Sequence, residues 1–313
     1  MKYLKYLVAI WVATTISSGV NAAEIKMAKA NWDTGYFHAE VYKQALEKMG
    51  YKVSEPKAMK PSIFYLAAAA GDLDLWVNGW FGTHDGYIAE TKGKVKAVGN
   101  VMAKGGLQGY LIDKKTADKL GIKSVMDIKK HAKQFDSNSD GKADMVVCPP
   151  GWGCEKQITK HFAELGLGDF INPIKADYSA SMADVIAKYK NGKSVLFYTW
   201  TPNWTVGALE LGKDIVWIEV PYSGTKSVKV PNATKSKINM GFGADDIRAA
   251  ANVDFLKANP KVEKMLKKAS IPLADIAAQN MKMNEGEKSE KAIKKHADAW
   301  IKANQSTFDN WLK

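Results

Sequence analysis

Twice along this chain, a stretch that alternates apolar and polar residues gives way to one with apolar residues every third or fourth position. "EIKMAKANW" at 24–32 has the two-residue period of a strand. "FHAEVYKQALEKMG" puts Phe37, Val41, Ala45 and Met49 on one helical face, with Gly50 as the stop. "YKV" and "LDLWVNGW" read as further strands, with "SIFYLAAAAG" as a helix between them. A second series starts at "QGYLIDKK" and runs through "ADMVVC", "EKQITKHFAELGL", "SMADVIAKYKNG" and "SVLFYTW". Near "NMGFGADDI" the chain is expected to return to the first series, and the remainder reads as helices. Such alternation builds α/β sheets whose ligand sites lie beyond the strand ends. The simplest layout is two α/β lobes, the second inserted into the first, with crossings near residues 109 and 241.

Tryptophan falls at those strand ends. Trp32 follows "EIKMAKAN", Trp80 closes "LDLWVNGW", Trp152 follows "DMVVC" and Trp200 ends "SVLFYTW", with Trp204 just beyond. One such residue is ordinarily packing, but several from separate segments point to a shared aromatic pocket. Trp76, Trp300 and Trp311 fall inside elements and are expected in the core. An aromatic cage suits a quaternary ammonium, which spreads its charge over methyl groups and donates no hydrogen bond. Each indole face contributes about 0.5 to 2 kcal/mol. A sugar would also stack on tryptophan, but it needs several polar side chains per ring, and those are sparse here.

Trp152 sits inside "CPPGWGCE", between Cys148 and Cys154, the chain's two cysteines. A helix is expected to start just after it. The backbone N–H groups of Gly153 and Cys154 would then point out of a helix N-terminus, where an anion is favoured. His84, four residues after Trp80, could add a third donor. Together these features predict a ligand with an ammonium at one end and a carboxylate at the other.

The N-terminus bears on the cysteines. Lys2 and Lys5 precede an apolar run of roughly ten residues, too short to span a bilayer, and small polar residues end at Ala22. This reads as a secretory signal cleaved after Ala22, and no later stretch reads as a transmembrane helix. In an oxidising compartment the two cysteines suggest a disulfide, worth roughly 2 kcal/mol for so short a ring. Two free thiols or a metal pair are the alternatives, and only His131 and His161 are near in sequence for the latter.

The formal net charge of +12 comes almost wholly from lysine. Arg248 is the one arginine, whereas readers of nucleic acid rely on arginine at bases and phosphates. The lysines are scattered over helical segments such as "KVEKMLKKAS", so they read as solvated faces, and no nucleic-acid partner is expected.

The chain resembles the periplasmic glycine betaine/proline betaine-binding proteins of ABC uptake systems over nearly its whole mature length. The resemblance is carried by "ALEKMGYKV", "QGYLIDKKTAD", "FDSNSDGKAD", "CPPGWGCE", "SMADVIAKYKNGK", "FYTWTPNW" and "ADAWIKANQSTFDNWL". It implies an ammonium cage of Trp80, Trp152 and Trp200, a carboxylate held by His84, Gly153 and Cys154, and a Cys148–Cys154 disulfide. It also implies a two-lobed type II periplasmic-binding-protein fold with two crossover segments and the ligand cleft between lobes. Residues 1–22 would be the leader, 23–109 plus 242–313 the first lobe, and 110–241 the second. The expected protein is a monomeric periplasmic carrier that delivers its ligand to a membrane permease and its ATPase, without being an enzyme.

"NWDTGYF" departs from close relatives in bringing Trp32 and Asp33, and "GWFGTH" replaces a proline-containing turn. Choline-binding relatives carry a tryptophan and an aspartate near this point, with one residue between them. Trp32 is therefore a fourth candidate for the cage and Asp33 a candidate selectivity residue. Choline, trimethylamine N-oxide, carnitine and dimethylsulfoniopropionate stand as alternative ligands. Two rival functions are a secreted hydrolase using His84–Asp85 and a carbohydrate-binding or adhesion module; no nucleophile elbow or HExxH supports the first.

No cofactor is expected, with one open case. In "DSNSDGKAD", Asp136, Asn138, Asp140 and Asp144 match positions 1, 3, 5 and 9 of a calcium loop, with Gly141 at the turn. Val147 replaces the bidentate glutamate. A structural calcium and an Asx-rich surface turn are the two readings.

Overall fold

The computed structural model describes residues 24–313; the expected leader and its cleavage site lie outside the described residues. The strands are β1 (Met27–Ala30), β2 (Lys57–Met59), β3 (Leu75–Phe81), β4 (Val95–Asp113), β5 (Ala143–Val146), β6 (Ile171–Ile174), β7 (Leu196–Thr201), β8 (Ile215–Ile218) and β9 (Asp245–Asn252). They lie in the order β2-β1-β3-β9-β4-β7-β5-β6, with β8 also paired to β4. At one end β1 runs parallel to β2 and β3; at the other β5 runs parallel to β6 and β7. Each parallel group is the core of one lobe, and β4 and β9 join them.

β4 belongs to both lobes. Its first part, from Val95 to Gly106, pairs antiparallel with β9, and its second part, from Leu107, pairs with β7 and β8. The register against β9 slips between Val98 and Met102 and again between Met102 and Gly106. Gly99 lies in the first slip at φ +58°, and a Cβ there would stand 1.9 Å from the Leu266 carbonyl oxygen. Only glycine fits so close a crossing of strand and helix.

"QGYLIDKK" is not the start of a new series but the far half of a 19-residue strand whose glycines read as breaks. "YKV" supplies only an isolated bridge, Val53 to Ile25, and the strand comes later, at β2. The return near "NMGFGADDI" is followed by strand β9, which closes onto β3 and β4.

The expected helical face of the helix Thr34–Lys48 is buried at Phe37, Val41 and Ala45. Each large apolar side chain so buried stabilises by roughly 1.5 to 3 kcal/mol relative to exposure. That face packs on β1, β3 and the C-terminal helices, where Trp311 lies 5.8 Å from Tyr42. Trp76 and Trp311 are buried in the core, and Trp300 is half-buried with its ring 5.6 Å from that of Trp311. Among the described residues no helix is long and apolar enough to cross a membrane.

Candidate functional site

Four of the strand-end tryptophans meet. Trp32, Trp80, Trp152 and Trp200 line one narrow cavity. Trp32 and Trp80 come from the first lobe, Trp152 and Trp200 from the second. The ring centroids of Trp152 and Trp200 are 5.7 Å apart at 74°, and those of Trp80 and Trp200 are 6.4 Å apart at 83°. Rings set nearly at right angles form the walls of a box rather than a stack. Trp32 backs onto Trp152 at 5.0 Å.

Three of the four indole edges are occupied, and the buried Trp32 N–H has no partner among the described residues. Trp80 Nε1 donates to Asn78 Oδ1 at 2.8 Å, Trp152 Nε1 to Asn31 Oδ1 at 3.0 Å and Trp200 Nε1 to Thr34 Oγ1 at 3.4 Å. With their N–H groups spoken for, these rings offer the cavity faces and CH edges. A π face attracts a cation.

The other end of the cavity is made of donors. Cys148 and Cys154 form a disulfide with their Cα atoms 6.0 Å apart. The helix Gly153–Leu165 starts inside that ring, with Trp152 as an extended N-cap that supplies no side-chain hydrogen bond. Gly153 and Cys154 therefore hold the first two helical N–H groups, which no preceding carbonyl can reach. Gly153 is required by its neighbours across the cleft: a Cβ there would lie 2.6 Å from Thr83 Cγ2 and 2.8 Å from His84 Cδ2.

His84 is buried, and burial pushes its pKa down to about 3, so the ring is neutral. Its Nδ1 accepts the Trp80 backbone N–H at 3.2 Å, with Tyr65 Oη at 3.3 Å. An accepting Nδ1 leaves the proton on Nε2, the ring's one remaining donor. The cavity thus sets aromatic faces against three N–H donors. No lining side chain carries a formal charge.

The sequence did not single out Thr83, Gln108 and Tyr198, which complete the lining. Behind them lies Asp245, whose carboxyl burial raises to about 6. It accepts Thr83 N at 2.7 Å, Thr83 Oγ1 at 3.0 Å and the Gln108 amide. Tyr198 Oη in turn donates to Gln108 Oε1 at 2.5 Å. Gly82, at φ +104°, makes the approach feasible, because a Cβ would stand 2.7 Å from Asp245 Oδ1. The glycine of "GWFGTH" was a visible cue; nothing in the pattern of "GADDI" marked Asp245.

Asp33 does not line the cavity. It occupies the N-cap position of the helix Thr34–Lys48 without a side-chain cap bond. Burial raises its pKa, and Lys288, Ser179 and Trp204 act against that rise. Asp136 spends its carboxylate on the backbone N–H groups of Asn138, Ser139, Asp140 and Gly141. Asp140 accepts from Lys142 N at 2.9 Å, and Asp144 accepts from Ser137. This is the geometry of an Asx-rich turn. Among the described residues no group of three or more His, Cys, Asp or Glu side chains is placed to hold a metal ion.

Comparison with known proteins points the same way as the geometry. Residues 23–303 match the family described as the substrate binding domain of ABC-type glycine betaine transport systems. The glycine betaine-binding periplasmic protein of Dickeya dadantii is 38% identical, over 96% of this chain and 95% of that one. The glycine betaine/proline betaine-binding periplasmic protein of Escherichia coli is 40% identical, over 88% of this chain and 85% of its own. The crystal structure of a glycine betaine/L-proline-binding protein from Borrelia burgdorferi superposes with a TM-score of 0.75 at 18% identity, covering 93% of this chain and 97% of that one.

Proposed function

This chain belongs to the family of substrate-binding domains of ABC-type glycine betaine transport systems, and from that premise we propose that its cavity captures glycine betaine and hands it to a membrane permease. The observation that carries the ligand assignment is the charge balance of the lining. Indole faces at one end and three N–H donors at the other suit a ligand with a methylated cation and a carboxylate. A lining with no net charge favours a zwitterion over a bare cation. Choline offers one neutral hydroxyl oxygen where betaine offers two carboxylate oxygens, so it would leave at least one of the donors of Gly153, Cys154 and His84 unpaired, a cost of about 1 to 3 kcal/mol per buried group.

The chain works as a carrier without turnover, in the periplasm, as a monomer alongside a permease and an ATPase. The relatives' periplasmic names and the leader expected at 1–22 support that placement. The lobes divide as 23–109 with 242–313, and 110–241. Titration calorimetry with glycine betaine, choline and a panel of sugars tests the assignment. One molecule of betaine bound per chain and recovered unchanged is expected. Absence of betaine heat at millimolar ligand, a sugar as the preferred ligand, or consumption of the ligand would each sink it.

A further inference from the structure

The cage tryptophans differ in who holds them. Trp80, in the first lobe, donates its N–H to Asn78, two residues earlier in the same strand. Trp152 and Trp200 belong to the second lobe, yet their acceptors, Asn31 and Thr34, both lie in the first. The Thr34 hydroxyl also donates to the Pro202 carbonyl of the second lobe at 3.2 Å. Asn31 and Thr34 flank Trp32, whose ring packs on Trp152. One short turn between β1 and its helix thus touches both cage walls of the opposite lobe.

That turn is itself tightly set. Gly35 N returns to the Trp32 carbonyl at 3.0 Å, and a Cβ on Gly35 would lie 2.4 Å from Ala30 Cβ. Thr34 is buried and receives a further contact from Asn280 Nδ2 at 3.4 Å, which anchors its hydroxyl to the C-terminal helices.

We propose that Asn31 and Thr34 are closure-dependent positioning residues, which fix the indole planes of Trp152 and Trp200 from the opposite lobe so that the cage is complete only when the lobes are shut. This rests on the ligand reading above and adds a mechanism to it. When the lobes part, both indole N–H groups return to water and the two rings regain rotamer freedom. The ligand then faces a partial cage. Contacts that form only after encounter oppose escape rather than speed arrival, so they act on the dissociation rate.

The test is stopped-flow tryptophan fluorescence with glycine betaine on wild type, the Asn31→Ala/Thr34→Val double variant and Thr34→Ser. Valine keeps the shape of threonine and removes the hydroxyl; serine keeps the hydroxyl. The double variant is expected to release betaine about tenfold faster or more, the scale of the three cross-lobe hydrogen bonds it loses. Its association rate should stay within about twofold of wild type. Thr34→Ser should release at the wild-type rate, and the ligand-free melting temperatures should agree within about 3 °C. Unchanged release in the double variant, or an affinity loss carried wholly by slower association, overturns the proposal. If the wild type takes up no betaine, the ligand reading has failed by itself, and closure is read on the ligand-free proteins by solution X-ray scattering. The wild type is then expected to be more compact than the double variant, and equal radii of gyration overturn the inference.

Discussion

On the second-lobe side of the cavity, a disulfide and two prolines hold the loop that carries Trp152 and the N–H groups of Gly153 and Cys154. On the first-lobe side, the loop that carries Trp80 and His84 is held by hydrogen bonds, to Asp245 through Thr83 and to Asn78 through the indole. The covalent loop presents backbone donors, which need a fixed main chain to aim them. The hydrogen-bonded loop presents side chains, which need packing and a charged anchor. The main-chain donors of the second-lobe wall are therefore set before the ligand arrives, whereas the indole planes of that wall wait for Asn31 and Thr34 across the cleft.

The sharpest way to break that contrast is to remove one indole from each side. Trp152 offers a face to the cavity, a ring contact to Trp32 and a bond to Asn31 across the cleft. Trp80 keeps its N–H partner within its own strand. Trp152→Ala is expected to cost about 3 kcal/mol of betaine affinity and Trp80→Ala about 2, in the range of buried tryptophan hot spots. Calorimetry giving equal losses would show that the cross-lobe contacts of Trp152 add nothing to binding.

Next in size is a single methyl where the two walls meet. In Gly153→Ala the new Cβ would stand 2.6 Å from Thr83 Cγ2. The clash can be relieved by opening the cleft, so affinity should fall by about 2 kcal/mol, the scale of overpacking. The ligand-free melting temperature should hardly move. A lowered melting point with unchanged affinity would place the strain inside a lobe instead.

His84→Ala separates the two ends of the ligand. A neutral N–H to a carboxylate is worth about 1.5 kcal/mol, the low end for bonds to charged groups. Betaine should lose that amount and choline, which has no carboxylate, far less. Matching losses for the two ligands in parallel titrations would mean that His84 only supports the Trp80 loop.

Both walls were legible in the sequence to unequal degrees. Trp80, Trp152, Trp200, His84 and the cysteine loop stood out because their residue types are rare and their positions fell at strand ends. Trp32 was also visible and does reach the cavity, although it backs onto Trp152 rather than forming an equal wall. Asn31, Thr34, Asn78 and Asp245 were not legible. Small polar residues near turns are common; Asn31, Thr34 and Asp245 are distinguished only by partners 121, 166 and 162 residues away, and Asn78 by an indole two residues on. In the fold, the parallel groups followed from periodicity. The long β4 did not, because its glycines serve as bulges in a continuing strand, and local pattern reads them as ends.

The smallest expected effect is that of pH on affinity. His84 is held neutral by burial, its pKa lowered from 6.5 to about 3, so its state does not change between about pH 7.5 and 5.5. Asp245, raised to about 6, gains a proton on the acid side of that window and then opposes one of its three donors. Betaine affinity should therefore stay level to about pH 6 and weaken slightly below, never tighten. Stability behaves differently. An unfolded chain protonates its histidines near 6.5, whereas folded His84 resists to about 3 and folded His38 and His161 to about 4. The unfolded state binds more protons in that window, so stability falls as pH falls. Asp245 acts the other way, since its folded form takes a proton before the unfolded one does, and Asp33 and Asp74, also raised by burial, act in the same direction as Asp245. Melting curves of the ligand-free protein should drop steadily below about pH 6.5 while calorimetric affinities stay nearly flat. A severalfold tightening of betaine binding on acidification would mean that His84 meets the carboxylate as an imidazolium, and the hydrogen-bonded wall would then carry a charge of its own.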